Sequence, residues 1–170
     1  TTAGFVAHLD AAGTPIWARA QGGFAPRAVA VGASSAVTVV GSISGSVTLV
    51  GGAGSVALTN SGGSDQVVAQ YDRAGTLQWA QAAGGGGADS ANEVAVAPDG
   101  SVYVGGFLAN AGGFGPNASR TILWAAGSTV TKYGADGTFV WGRRAGGNSY
   151  CTDHRPAVGP AGYGALPASL

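Results

Sequence analysis

One eight-residue frame occurs three times, and this constrains the fold more than any other feature. Asp10-Ala11-Ala12-Gly13-Thr14-Pro15-Ile16-Trp17 returns as Asp72-Arg73-Ala74-Gly75-Thr76-Leu77-Gln78-Trp79, then as Gly134-Ala135-Asp136-Gly137-Thr138-Phe139-Val140-Trp141. The three tryptophans follow one another at intervals of 62 residues. Self-similarity at a fixed period marks stacked units, each leaning on its neighbours, rather than one core folded once.

Alternation decides what each unit contains. In 4–10, Phe5, Ala7 and Leu9 alternate with Val6, His8 and Asp10, the period of a strand. A glycine turn follows, then a second strand carrying the Trp. A further hairpin is read in 28–42, and more clearly in 93–107, where Ala97-Pro98-Asp99-Gly100 is a turn: Pro presets φ and Gly tolerates φ > 0. Hairpins are thus expected over 5–20, 28–42, 67–82, 93–107 and 129–144. No helical stripe of any length interrupts the valine-rich runs, so the fold class is all-β, with four antiparallel strands per unit. Of the two long connections, 43–64 carries a weak alternation of Val47, Leu49, Val56 and Leu58 that reads as an extra ribbon. The other, 108–128, departs from the repeat with Phe114, Arg120 and Trp124.

Four short strands per unit with glycine-rich turns is the recipe for a β-propeller blade. The frames 5–13, 68–80, 91–104 and Gly62-Gly63-Ser64-Asp65 resemble the bacterial beta-propeller repeat known as SBBP. The resemblance covers nearly the whole chain, weakening in 108–128 and after Ser149. It implies a secreted or surface bacterial protein whose propeller is a scaffold or binding module, and it carries no catalytic motif. In these terms the chain is a propeller segment: an outer half-blade at 4–23, blades at 24–85 and 86–147, and a degraded inner half-blade at 148–170, with Pro156 and Pro167 in its strands. Three units are too few for a ring of four to eight blades, so the expected partners are further repeats of the same polypeptide or identical copies of the chain. Protein or glycan is expected at the surface.

Composition narrows the function. Eight basic against eight acidic residues, with 9% charged, leave no basic stripe for nucleic acid. No apolar run approaches the ~20 residues of a spanning helix. With no methionine, Thr1 is read as a processed start and the chain as a piece of a longer product.

Candidate chemistry is sparse. Cys151-Thr152-Asp153-His154 is the one cluster of metal donors, and nothing completes it: His8 is the other histidine and no second cysteine exists. No metal or other cofactor is expected. Asn117-Ala118-Ser119 is a glycosylation sequon. Gly84-Gly85-Gly86-Gly87 lacks the Lys-Ser/Thr ending of a phosphate loop and reads as a flexible turn between units. No serine or histidine sits in a nucleophile motif, so the chain is not read as an enzyme. Gly13, Trp17, Gly75, Trp79, Gly137 and Trp141 are assigned structural roles, each Trp packing between units on a face shared by Leu77 with Trp79 and by Phe139 with Trp141. Any specific contact surface is placed on 108–128, through Phe114, Arg120 and Trp124. The leading function is a non-catalytic extracellular or cell-surface scaffold. A carbohydrate-binding propeller is the runner-up, and a segment of a larger secreted enzyme comes third.

Overall fold

The computed structural model describes residues 3–114, 120–122, 126–144, 157–158 and 164–165. These form antiparallel β-structure, and among the described residues there is no helix. Five hairpins lie where alternation and turn residues put them. They are β1 (Ala3–Leu9) with β2 (Pro15–Gly22), β3 (Phe24–Val31) with β4 (Val37–Ile43), and β7 (Asp65–Tyr71) with β8 (Leu77–Gly85). The last two are β9 (Ser90–Val96) with β10 (Val102–Leu108), and β13 (Gly127–Tyr133) with β14 (Phe139–Arg144).

Hairpins join in pairs through their inner strands. β4 pairs with β7 and β10 with β13, so the chain order β3-β4-β7-β8 is one run of neighbours and β9-β10-β13-β14 another. The two long connections are not structureless. The first forms the ribbon of β5 (Val47–Gly51) and β6 (Gly54–Leu58), with Leu49 and Leu58 buried. The second supplies β11 (Gly112–Phe114) and β12 (Arg120–Ile122), which extend the first sheet beyond β8. β1 and β2 form a sheet of two, as do β15 (Ala157–Val158) and β16 (Gly164–Ala165).

The apolar residues divide into two clusters, one on each side of the first large sheet. Val6, Trp17, Val39, Val67, Ala69 and Tyr71 belong to the cluster that faces β1–β2. Val40, Val68, Trp79, Val104 and Tyr133 belong to the one that faces β9–β14. β4 and β7 are consequently buried on both faces, all seven residues of each.

Two expectations are corrected here. Leu77 and Trp79 do not share a face: Leu77 lies in the first cluster and Trp79 in the second. The reason is a register shift, since Tyr71 stands opposite Leu77 and Gln70 opposite Trp79, so Gln78 is an extra residue that reverses the alternation. The same shift follows β13, where Tyr133 faces Phe139 and Lys132 faces Trp141. The period is also not constant. β1, β7 and β13 begin at 62-residue intervals, but β4 and β10 begin 65 apart, because the link after β8 (86–89) is three residues longer than the single residue after β2.

Candidate functional site

The site that the repeat builds is the junction between sheets. Each turn is tied by its own aspartate: the Asp10 carboxylate accepts from the Ala12 and Thr14 amides at 2.9 and 2.8 Å, and the Asp72 carboxylate from the Ala74 and Thr76 amides at 2.9 Å each. Where Gly134 replaces that aspartate, Asp136 takes over with the Thr138 amide (3.0 Å) and hydroxyl (2.8 Å), and these bonds hold its carboxyl below the usual range. Gly13, Gly75 and Gly137 close the three turns with φ near +80°, a conformation costly for residues with a Cβ.

On this turn the tryptophan of the preceding unit comes to rest. The Trp17 indole donates to the Arg73 carbonyl at 3.0 Å, and the Trp79 indole to the Ala135 carbonyl, also at 3.0 Å. Both partners lie 56 residues further on. Two residues after each Trp a second donor reaches the turn glycine: Arg19 Nε meets the Gly75 carbonyl at 3.1 Å and Gln81 Nε2 the Gly137 carbonyl at 3.4 Å. Trp17 packs on Tyr71 and Trp79 on Tyr133, with ring centroids 5.6 and 6.2 Å apart. The glycines are required twice over, because a Cβ on Gly75 would lie 2.7 Å from the Trp17 ring and one on Gly137 2.5 Å from the Trp79 ring. Burial of the Trp is legible from the repeat. Its use as a donor to the next turn is not, although the fixed distance from each Trp to the next turn glycine is the signal.

The third tryptophan differs. Trp141 is half-buried and meets Tyr103 edge-on at 6.0 Å. Arg143, in the place of Arg19 and Gln81, is exposed.

A second group of residues meets where the longer link passes β8. Asp65 and Asp89 are both buried, and their carboxylates converge over Gly84: a Cβ there would lie 2.5 Å from Asp65 Oδ1 and 2.6 Å from Asp89 Oδ2. Asp89 accepts from the Gly85 and Ala109 amides at 2.7 Å each. Asp65 Oδ2 accepts from the Ser61 amide at 2.8 Å, while Oδ1 has no donor. Burial pushes both carboxyls up, and Asp89 adds its own charge to the rise at Asp65. The four-glycine run is only half a turn: Gly84 and Gly85 end β8, with Gly84 wedged under two carboxylates, while Gly86 and Gly87 form the bend that leads to β9. Two carboxylate oxygens, one of them already bonded to an amide, fall well short of the six to eight oxygens that calcium takes.

The surface expected on 108–128 is only partly a surface. Phe114 is fully buried and stacks on Phe139 at 5.3 Å, because β11 pairs with β8 and turns it into the second cluster. It is a core residue, not an exposed anchor. Arg120 opens β12 opposite Phe114. Trp124 lies outside the described residues, as do Asn117, Ser119, Cys151, Asp153, His154, Pro156 and Pro167. Among the described residues no three His, Cys, Asp or Glu side chains gather as metal ligands, and no helix is long and apolar enough to cross a membrane. A groove of about 570 Å³ between 22–25 and 42–48 is lined by Gly, Ser, Thr, Ala, Phe and Val and carries no titratable group.

No family model matches the chain, and no curated protein matches it.

Proposed function

We propose that the chain is a segment of a β-propeller of the SBBP type, acting as a non-catalytic scaffold or interaction module in an extracellular or cell-surface protein. One observation carries this reading: the Trp-to-turn contact occurs at both junctions, with donors at the same repeat positions, the same acceptor positions and the same ring-on-glycine packing. A contact that repeats in register makes each four-stranded unit the platform for the next, as blades are in a propeller. The residues the sequence repeats are spent in packing units together. Trp17 and Trp79 are buried and unavailable as sugar platforms, which favours the scaffold over the carbohydrate reading. Its partners are further units of the same kind and proteins or glycans at the outer surface.

Electron microscopy of the intact protein that contains these repeats tests the architecture. Averaged views are expected to show a ring of radially arranged sheets; a linear stack overturns the propeller. A glycan array tests the function, and saturable binding to one sugar class replaces the scaffold reading with the carbohydrate one.

A further inference from the structure

Three connections meet at one end of the first large sheet, and Asp65 and Asp89 lie between them. The loop before β7 (59–64) and the link after β8 (86–89) run side by side: Ser64 bridges Ala88, the Ser64 amide donates to the Gly87 carbonyl at 3.1 Å and the Asp89 amide to the Ser64 carbonyl at 2.7 Å. The third is the link from β10 to β11, which the Asp89 carboxylate reaches through the Ala109 amide. β11 itself is held to β8 by two register positions, Gly112 on Gly85 and Gly113 on Gly84. Its anchorage therefore depends on what happens around Gly84.

The two carboxylates are not equivalent. Asp89 has a donor for each oxygen, the Gly85 amide on Oδ2 and the Ala109 amide on Oδ1, and amides so placed favour the ionised form. Asp65 has a donor for Oδ2 alone, the Ser61 amide, and its Oδ1, on a side chain 1% exposed, has none. That oxygen is aimed at its neighbour, since Asp65 Oδ1 and Asp89 Oδ2 both lie within 2.6 Å of the point where a Cβ on Gly84 would stand. The groups that face the pair from the surrounding elements are uncharged: Ser61 and Ser64 before β7, Gly84 and Gly85 in β8, and Ala109 after β10. Two buried like charges with no cation beside them repel. One proton between them removes the repulsion and gives Asp65 Oδ1 a partner in the same step.

We propose that Asp65 and Asp89 share one proton, carried on Asp65 Oδ1 and donated to Asp89 Oδ2, and that this proton locks β11 onto β8. It resides on Asp65 because both Asp89 oxygens already accept from amides. When it leaves to water, two carboxylates face each other across Gly84, where no side chain stands between them. Moving Asp89 away relieves the repulsion, and that movement breaks its bond to Ala109 and frees the segment 109–114. Burial raises both carboxyls in the folded chain, so the lock is complete below their ordinary value of 3.8 and opens as pH rises through the raised ones.

Carbon-13 NMR of the aspartate carboxyl carbons tests where the proton is. Asp99 and Asp136, exposed and held below the ordinary value by their bonds to Ser101 and Thr138, are expected to ionise first. The Asp65 carboxyl keeps its protonated signal to higher pH. Hydrogen exchange tests the lock. Relative to an unstructured peptide, exchange at Ala109 and in β11 should speed about 10-fold per pH unit between the ordinary and the raised carboxyl values, the slope for one proton, and then level off. Asp65→Asn supplies a permanent donor to Asp89 and should make that exchange independent of pH. Asp65 and Asp89 ionising together with Asp99 and Asp136 would overturn the proposal, as would wild-type exchange at Ala109 that ignores pH or Asp65→Asn exchange that follows pH as wild type does. Protection of Ala109 that requires added calcium at neutral pH would overturn it too, by making the pair a cation site. The two wild-type measurements decide the question even where the variant fails to fold.

Discussion

The two junctions share a frame and differ in how they treat polar groups. At the first, the fully buried Gln21 donates to the Tyr71 hydroxyl at 3.0 Å and to the Val50 carbonyl, and accepts from the Val50 amide. It binds the half-sheet to the β5–β6 ribbon with its amide paired at both ends. At the second, Ala83 stands in the place of Gln21, and the polar residues are Asp65 and Asp89, one oxygen of which has no donor. Their counterparts at the first junction are Ala3 and Phe24. The Trp-to-turn contact thus tolerates an amide network, an apolar pair or a carboxylate pair beside it. A repeat protein keeps the contact that sets the stacking and lets the remaining interior vary.

The largest expected effect separates these junctions by their tryptophans. Trp79→Ala should cost about 3–5 kcal/mol, the penalty for deleting a large buried aromatic. Trp79 lies between two complete sheets and reaches a second acceptor, Gln70 Oε1 at 3.1 Å. Trp17→Ala should cost less in global stability, because it releases a two-stranded half-sheet that can open locally. Chemical denaturation with hydrogen exchange distinguishes global loss from local opening, and equal effects would mean that β1–β2 folds as one unit with the rest. Phe114→Ala belongs to the same size class, since Phe114 is buried on Phe139; a neutral result would return it to the surface.

The three turn glycines sharpen the comparison. Gly75→Ala and Gly137→Ala add a Cβ against an indole to the backbone strain and should cost about 2–4 kcal/mol. Gly13→Ala carries the backbone term alone, about 1 kcal/mol. Thermal unfolding of the three variants at low protein concentration orders them, and an equal cost at Gly13 would mean that its turn is already covered.

The carboxylate pair gives a smaller, pH-dependent effect. Both groups have folded-state values raised above 3.8 by burial, so the folded chain holds protons that the unfolded chain releases. Their contribution is present below 3.8 and is lost as pH rises through the folded values. Asp65→Asn places an amide donor against Asp89 and should remove part of this decline, gaining about 1 kcal/mol at neutral pH. Urea midpoints from acid to neutral pH check it. A variant less stable than wild type at neutral pH, with wild type stabilised by added calcium, would make the pair a cation site instead.

The smallest effect is expected on β1, where Phe5 is exposed. Phe5→Thr should change monomer stability by less than about 0.5 kcal/mol, as exposed positions usually do. The equivalent Val67→Thr buries a hydroxyl without an obvious partner and should cost about 1–3 kcal/mol.

By itself, the sequence determined the hairpins, the glycine turns and the order of units, because each depends on local quantities: alternation over a few residues, and positive φ at Gly13, Gly75 and Gly137. The 62-residue spacing also announced that the tryptophans play one role. Which cluster each residue enters was decided only in three dimensions. The extra residue at Gln78 sends Leu77 and Trp79 to opposite faces, and pairing of β11 with β8 draws Phe114 from a divergent connection into the core. Asp65 and Asp89, 24 positions apart, meet only because the longer link folds back over Gly84. Burial is a property of neighbours: Phe5 and Val67 hold the same place in the repeat, and one is exposed and the other buried because, among the described residues, only β7 has a strand on each side.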